Sequence, residues 1–380
     1  MSDTGETDTF GRHSTGILPG HILKRLIETG REIFADEAVA EHQIQPASLD
    51  LRLGQKAYRV RASFLPGAKA TVAEKLAEVT MHEFDISDGA VLETGCVYIV
   101  PLQERVEFSK RISGMANPKS STGRIDVFTR LITDHAQGFD RIEEGYHGPL
   151  YAEISPRTFP VVVRKGSRLN QLRVRHGSPS FTDTQLKRLH EQSPLVSGEA
   201  DIEGGLGLSI DLKGDAARPA QGLGNIVGWR AKRHTGLIDV DRTNILDPYE
   251  YWDPIARPAK GTLILDPDEF YILVSREAVA IPPDFAAEMV PFNPLVGEFR
   301  VHYAGFFDPG FGYEPNGAPS AHAVLEVRSR EVPFILEHGQ TIGRLIFERL
   351  TDPPPEVYGT SIASNYQRQG LKLSKHFKAL

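Results

Sequence analysis

A stretch near residue 100 recurs near residue 270 at a constant offset of 173. Tyr98 returns as Tyr271, Glu104 as Glu277, Val106 as Val279, Pro118 as Pro291, Glu153 as Glu326, Pro160 as Pro333, Gly166 as Gly339 and Leu172 as Leu345. A period this long is far from the roughly 20 to 50 residues of solenoids, so the chain is constrained to a duplicated domain rather than an array. Its 380 residues agree, because a single core stops growing at about 250 to 300 residues. The copies are not equivalent. Where the first reads Pro118-Lys-Ser-Ser-Thr-Gly-Arg124, the second reads Pro291-Phe-Asn-Pro-Leu-Val-Gly297. One copy has the polar groups of a site; the other has those of a scaffold.

The runs inside the repeat are short, alternating or β-branched, and punctuated by Gly, Pro and Asp, which predicts many short strands. They cover 45–60, 91–106, 150–154, 160–164 and 169–174, and the last three recur as 323–327, 333–337 and 341–347. Each half is therefore expected to be mainly β, a barrel or jelly-roll sandwich with a few short helices. One helix is predicted after Pro19-Gly20, where apolar residues fall three and four apart before the stop at Gly30. The first 16 residues are polar and are expected to be a disordered tail, followed by a first domain over 17–178. A connection over 179–230 carries a helical Thr184-Gln-Leu-Lys-Arg-Leu-His190 and a Gly204-Gly-Leu-Gly-Leu208 run. A second domain is expected over 231–352. Asp352-Pro-Pro-Pro355 then stops strands, and 353–380 shows no core pattern and reads as an arm. Gly236-Leu-Ile-Asp-Val240 weakly echoes Ser48-Leu-Asp-Leu-Arg52 at another offset.

Composition limits the partners. A net charge of −7 gives no general attraction for nucleic acid or anionic membrane, so any phosphate binding must be local. No apolar run approaches the roughly 20 residues that span a bilayer. Cys96 is the sole cysteine, which excludes an intrachain disulfide and any zinc site built on two thiolates, and fits a reducing cytoplasm. The histidines show no metal-ligand spacing, and no protein-held metal is expected.

Three segments carry candidate chemistry. Lys119-Ser120-Ser121-Thr122-Gly123-Arg124 packs two cations, three hydroxyls and a glycine into one turn, which suits a phosphate cradle although a bland polar turn has the same composition. Glu153 sits in the apolar strand Leu150-Tyr-Ala-Glu-Ile154, where an unpaired carboxylate is costly to bury. It is either a proton shuttle or a carboxylate neutralised by an arginine such as Arg124 or Arg168. Glu326 repeats it in Val324-Leu-Glu-Val327, so position alone does not choose. Arg141-Ile-Glu-Glu-Gly-Tyr-His-Gly148 is a turn able to set a ring under a sugar with a carboxylate on its hydroxyl; any hairpin could read the same way. On the strand Gln45 to Gly54, Asp50 and Arg52 share a face, where an ion pair is the plain reading.

Together these segments resemble the dCTP deaminase branch of the trimeric dUTPase-like superfamily over most of the first half. Pro46-Ala-Ser-Leu-Asp-Leu-Arg-Leu-Gly54 is similar to the family's early strand motif. Lys119 to Arg124 resembles its Arg-Ser-Ser-x-x-Arg motif, Arg141 to Gly148 its Arg-Ile-Asp-Pro-Gly-Trp-x-Gly turn, and Leu150 to Glu153 the strand with the catalytic glutamate. Tyr358 and Asn365-Tyr-Gln-Arg-Gln-Gly370 resemble its nucleotide-covering tail. The resemblance implies two dUTPase-like domains and zinc-free deamination of dCTP to dUTP and ammonia, with Glu153 as the proton shuttle.

By the same resemblance, Arg124 and Ser120 hold the water. Lys119, Ser121, Thr122 and Gly123 face phosphates that bring a magnesium ion, Glu143 takes the sugar 3′-hydroxyl, and Tyr151 and Ala152 line the base pocket. Tyr358, Asn365, Tyr366 and Gln369 close over the triphosphate, and copies of the chain are expected to form a homo-oligomer. The chain departs from the family pattern in four places. Glu143 replaces an aspartate, Lys119 an arginine and Asn365 a lysine, and 134–140 is an addition that leaves the water-positioning carbonyl to Thr133 or Ala136. The second half has Asn293 opposite Ser120 and Gly297 opposite Arg124, so its own site is expected to be inactive, with the half supplying walls and lid to the first. The rival readings are dUTP hydrolysis, alone or after deamination, and a non-catalytic nucleotide-binding regulator.

Overall fold

The structure, a computed structural model, describes residues 10–214, 225–291, 299–302, 305–329, 331–355, 357 and 370–379. It is mainly β and divides into two compact units. Unit 1 comprises 1–179, 236–242 and 349–355; unit 2 comprises 180–235, 243–348 and 356–380.

Unit 1 is built on β1 (Ser48–Leu51), β2 (Lys56–Val60), β3 (Val97–Glu107), β4 (Ile112–Pro118), β5 (Val127–Thr133), β6 (Arg141–Ile142), β7 (His147–Pro156) and β8 (Asn170–His176). One sheet runs β6, β4, β8, β1 and then Ile44–Gln45; the other runs β5, β7, β3, β2 and then Thr80–Asp85. Leu49, Leu51, Leu172 and Val174 are buried, and so are Ser48, Asp50, Gln171 and Arg173 on the alternate positions, so β1 and β8 are covered on both faces. The helix expected after Pro19 spans Gly20–Glu28 and buries Ile22, Leu23 and Leu26. A second helix, Val72–Val79, begins at a capping box. Thr71 accepts from the Glu74 amide while the Glu74 carboxylate accepts from the Thr71 amide at 2.7 Å. It buries Val72 and Leu76 against Val60, Ile99, Ile132 and Tyr151.

Residues 10–17, placed in or beside the polar tail by the sequence, belong to this unit. Phe10 is buried with its ring 4.9 Å from that of His176, and Gly16–Ile17 pairs with the end of β8.

Unit 2 contains β9 (Leu206–Ser209), β10 (Phe270–Val279), β11 (Phe285–Pro291), β12 (Phe299–His302), β13 (Phe306–Phe307), β14 (Ala321–Ser329) and β15 (Thr341–Arg349). Its sheets run β13, β11, β15, β9 and β12, β14, β10, followed by Ile226–Ala231 and Trp252–Ala256. That is the strand order of unit 1. β4 and β11 correspond end to end at the offset of 173. The stretch 179–230, expected as a connection, contributes the helix Asp183–Gln192 and β9, whose Leu206 and Leu208 are core residues.

The echo at Gly236–Val240 is corrected by the register. Leu172 pairs with Leu49 and Leu345 pairs with Leu206, so β9 is the counterpart of β1. Ile238–Asp239 belongs to unit 1, where it pairs in parallel with Val161–Val163. Arg164 anchors this strand through Asp239 at 2.8 Å and Asp241 at 2.9 Å. The end of the arm is also core: Leu371, Leu373 and Phe377 are buried, and the Phe377 ring meets Tyr251 at 5.4 Å and Trp252 at 6.0 Å. Three apolar residues without a period gave no sign of this. Among the described residues no helix is long and apolar enough to cross a membrane.

Candidate functional site

Glu153 lies in the middle of β7, flanked on one side by β5 and on the other by β3, with Arg130 and Ile99 as its cross-strand neighbours. It is 1% exposed. A carboxylate so placed needs a cation, and the structure supplies one the sequence reading did not name. Arg130 donates from Nε at 3.1 Å and from a terminal nitrogen at 2.5 Å, both to Oε1. Oε2 is buried and makes no hydrogen bond among the described residues. Arg168, one of the two arginines suggested by sequence, instead lies 3.4 Å from Asp50.

Arg130 is itself held. The Phe139 ring centroid lies 3.5 Å from its guanidinium carbon and that of Phe128 lies 4.6 Å away, while the Ser63 hydroxyl accepts from it at 3.0 Å. Phe139 comes from the additional segment 134–140, which is tied down at both ends. The Asp134 carboxylate accepts from the Val72 amide at 2.7 Å, and the Asp140 carboxylate accepts from the Leu131 amide at 2.7 Å. The two carbonyls proposed for positioning water both accept backbone hydrogen bonds: Thr133 from Ala136 at 3.4 Å, and Ala136 from Gly67 at 3.0 Å.

Two residues before Glu153 on the same strand face, Tyr151 is buried in the cluster under the helix Val72–Val79. Burial, with Asp134 and Tyr58 nearby, pushes its phenol up to about 12, so it is a neutral group and not a base at neutral pH. Ala152, fully buried, pairs with Leu131 and Val100.

Ser120 to Gly123 form one helical turn after Lys119, with Arg124 closing it through a 3.0 Å bond from its amide to the Ser120 carbonyl. Ser121, Thr122, Gly123 and Arg124 are buried, and Ser120 is half-buried. Lys119 pairs with the buried carboxylate of Asp50. Arg52, read as a partner of Asp50, goes to Glu104, where its Nε donates to Oε1 at 2.7 Å and its amide to Oε2 at 2.7 Å.

Glu143 is exposed at the turn after β6. Tyr146 in that turn is engaged locally: its hydroxyl donates to the Pro149 carbonyl at 2.8 Å and accepts from the Asp134 amide at 3.2 Å. Tyr358, Asn365, Tyr366 and Gln369 lie outside the described residues, as do Asn293 and Gly297.

The register identifies the equivalents in unit 2. His302 lies across from Glu326, where Arg130 lies across from Glu153. Arg141 and Ile142 pair with Met115 and Gly114, whereas Phe306 and Phe307 pair with Glu288 and Ala287. The turns therefore correspond at an offset of 165 rather than 173, and unit 1 has eight more residues ahead of its turn. Glu143-Glu-Gly-Tyr146 corresponds to Asp308-Pro-Gly-Phe311. Both turns close alike, Tyr146 N to Glu143 O at 3.2 Å and Phe311 N to Asp308 O at 3.1 Å.

A family model described as the N-terminal domain of 2′-deoxycytidine 5′-triphosphate deaminase matches residues 14–178, and a model of the C-terminal domain matches residues 182–377. A dCTP deaminase, dUMP-forming, from Beutenbergia cavernae is 30% identical over 151 residues, covering 38% of this chain and 74% of that protein. Another from Clavibacter michiganensis is 33% identical over 148 residues, 37% of this chain and 70% of that protein. The crystal structure of 2′-deoxycytidine 5′-triphosphate deaminase from Agrobacterium tumefaciens is 55% identical, covers 90% of this chain and 100% of its own, and superposes with a TM-score of 0.84.

Proposed function

The chain belongs to the dCTP deaminase family, and from that premise we propose that unit 1 deaminates dCTP to dUTP and ammonia with Glu153 as the proton shuttle. One observation carries this reading: a fully buried carboxylate has one oxygen held by a guanidinium and the other without a partner. Such a group can take a proton and give it back without leaving its place.

In the proposed step Glu153 removes a proton from water as the water oxygen bonds to C4 of cytosine, and the proton is delivered to N3. The hydroxyl proton of the adduct then passes to the amino group, the C4–N4 bond breaks, ammonia leaves and C4 becomes a carbonyl. One water is consumed and one ammonia formed. Arg124 and Ser120 hold the water, and Tyr151 and Ala152 line the base pocket through their backbone. Lys119, Ser121, Thr122 and Gly123 face the triphosphate, Glu143 meets the 3′-hydroxyl, and Tyr358, Asn365, Tyr366 and Gln369 cover the nucleotide. These roles rest on the motif resemblance.

No zinc is invoked, because a thiolate ligand pair needs a second cysteine. Among the described residues no three His, Cys, Asp or Glu side chains gather as a metal site. The hydroxyls and cations of the turn suit phosphate oxygens, and a magnesium ion brought by those oxygens would neutralise part of the triphosphate charge. Association of copies into a homo-oligomer is proposed on the same resemblance and is checked by sedimentation.

The relatives' name, dUMP-forming, favours a second reading in which dUTP is hydrolysed further. Incubation with dCTP and magnesium, with ammonia measured and nucleotides separated, tests both. Ammonia with dUTP supports deamination alone; dUMP and diphosphate support the coupled reaction. Glu153→Gln is expected to lower ammonia release about 10²- to 10⁴-fold while dCTP still binds. Parental turnover in that variant removes the assignment.

A further inference from the structure

We infer that Arg130 is a positioning residue that makes the two oxygens of Glu153 inequivalent, holding Oε1 and leaving Oε2 as the oxygen that exchanges protons. The inference rests on the deamination proposed above. The terminal torsion of a glutamate is broad and roughly two-fold, so an unassisted carboxylate presents either oxygen to a substrate. Here both nitrogens of the fork converge on Oε1, at 3.1 and 2.5 Å, and Oε2 is the buried atom without a partner. The strands on either side of β7 hold the Glu153 backbone, so the side chain has little freedom except at its end.

The guanidinium is fixed in turn by Phe139, Phe128 and Ser63. Stacking on a ring while donating in the plane is something a planar guanidinium does and an ammonium does not. This gives the additional segment of unit 1 a purpose. Asp134 and Asp140 pin it, and Phe139 between them presses on Arg130. In unit 2, which has eight fewer residues ahead of its turn, the position across from the equivalent glutamate is His302.

During turnover Oε2 takes the water proton as the C4–O bond forms and returns it to N3. Oε1 stays bonded to the guanidinium throughout, so Arg130 neither gains nor loses a proton. Its contribution is orientation, and misplacement of a reacting group by an ångström costs about 10²-fold.

The test measures kcat and KM for dCTP separately in Arg130→Met, Arg130→Lys, Phe139→Leu and Glu153→Gln, with circular dichroism melts to establish folding. Arg130→Met is expected to lower kcat about 10²-fold with KM within about threefold, because the interaction orients the shuttle rather than binding the nucleotide. Arg130→Lys is expected to recover about tenfold of that loss, keeping the charge without the fork. Phe139→Leu, which leaves the ion pair and removes the stack, is expected to lower kcat about fivefold. Parental kcat in Arg130→Met, or a loss confined to KM, overturns the inference. Should Arg130→Met not fold, Phe139→Leu decides, and parental kcat there overturns it. Parental ammonia release in Glu153→Gln would instead overturn Glu153 as the proton shuttle, the reading on which the inference rests.

Discussion

Units 1 and 2 repeat the same strand order, yet the residues around their equivalent glutamates differ. Arg130 stands across from Glu153 and His302 across from Glu326. The Glu104 carboxylate bridges the Arg52 amide and guanidinium, while its repeat-mate Glu277 bridges the amide and hydroxyl of Ser209. The strand Val161–Val163 is covered on its outer edge by Ile238–Asp239, whereas among the described residues Phe334–Glu337 pairs only with Thr262–Leu265 in a two-stranded sheet. Duplication has kept what the backbone ladder needs, and the side chains that create charge and cover have diverged.

The largest contrast is expected in chemistry. Glu153→Gln is expected to cost about 10³-fold in ammonia release, and Glu326→Gln less than about threefold. Equal losses from the two substitutions would abolish the asymmetry between the units. The next contrast is in stability. Glu104→Ala strands the guanidinium of Arg52, which is buried, and is expected to cost about 3 to 5 kcal/mol. Glu277→Ala leaves an amide and a hydroxyl and is expected to cost about 1 to 3 kcal/mol. Urea titration of both variants ranks them, and a larger loss from Glu277→Ala would mean that the charge in unit 1 is not what the bridge stabilises.

A third comparison uses the covered and uncovered edges. Ile238 is fully buried on the added strand of unit 1, and Ile238→Ala is expected to cost about 2 to 5 kcal/mol. Ile264 is 56% exposed on the short sheet of unit 2, and Ile264→Ala is expected to stay within about 0.5 kcal/mol. Similar costs at the two sites would show that the unit 2 edge is covered in solution.

How far the sequence revealed these differences depended on what kind of interaction made them. β4 and β11 were legible because strands that stack on one core keep their alternation and therefore their spacing. β9 was not, because Gly207 and Ser209 replace Asp50 and Arg52 and only the leucines of the strand remain; Gly236–Val240 has the better letters in the wrong place. The Asp308-Pro-Gly turn was hidden by the change of offset, which falls between strands where length is free to vary. The candidate site divides the same way. Glu153 and the Lys119–Arg124 turn are local words, but Arg130 meets Glu153 only through strand register, and Phe139 reaches Arg130 only through a segment with no strand period.

The smallest contrast is a matter of pH. His322 of unit 2 occupies the ladder position held in unit 1 by Pro149, which cannot titrate. Burial holds the His322 pKa below the ordinary histidine value of 6.5, against the opposing pull of the Ser275 carbonyl, Asp211 and Glu277. The native state thus keeps His322 neutral in a range where the unfolded chain binds a proton. Its contribution is complete above the ordinary value and is lost as pH falls through the interval down to the depressed one. The melting temperature of the parent is expected to fall more between pH 7.5 and 5.5 than that of His322→Gln, since only the parent takes up this proton on unfolding. Parallel curves for the two proteins would show that His322 is protonated as readily in the native chain as in the unfolded one, and that the two units do not differ here.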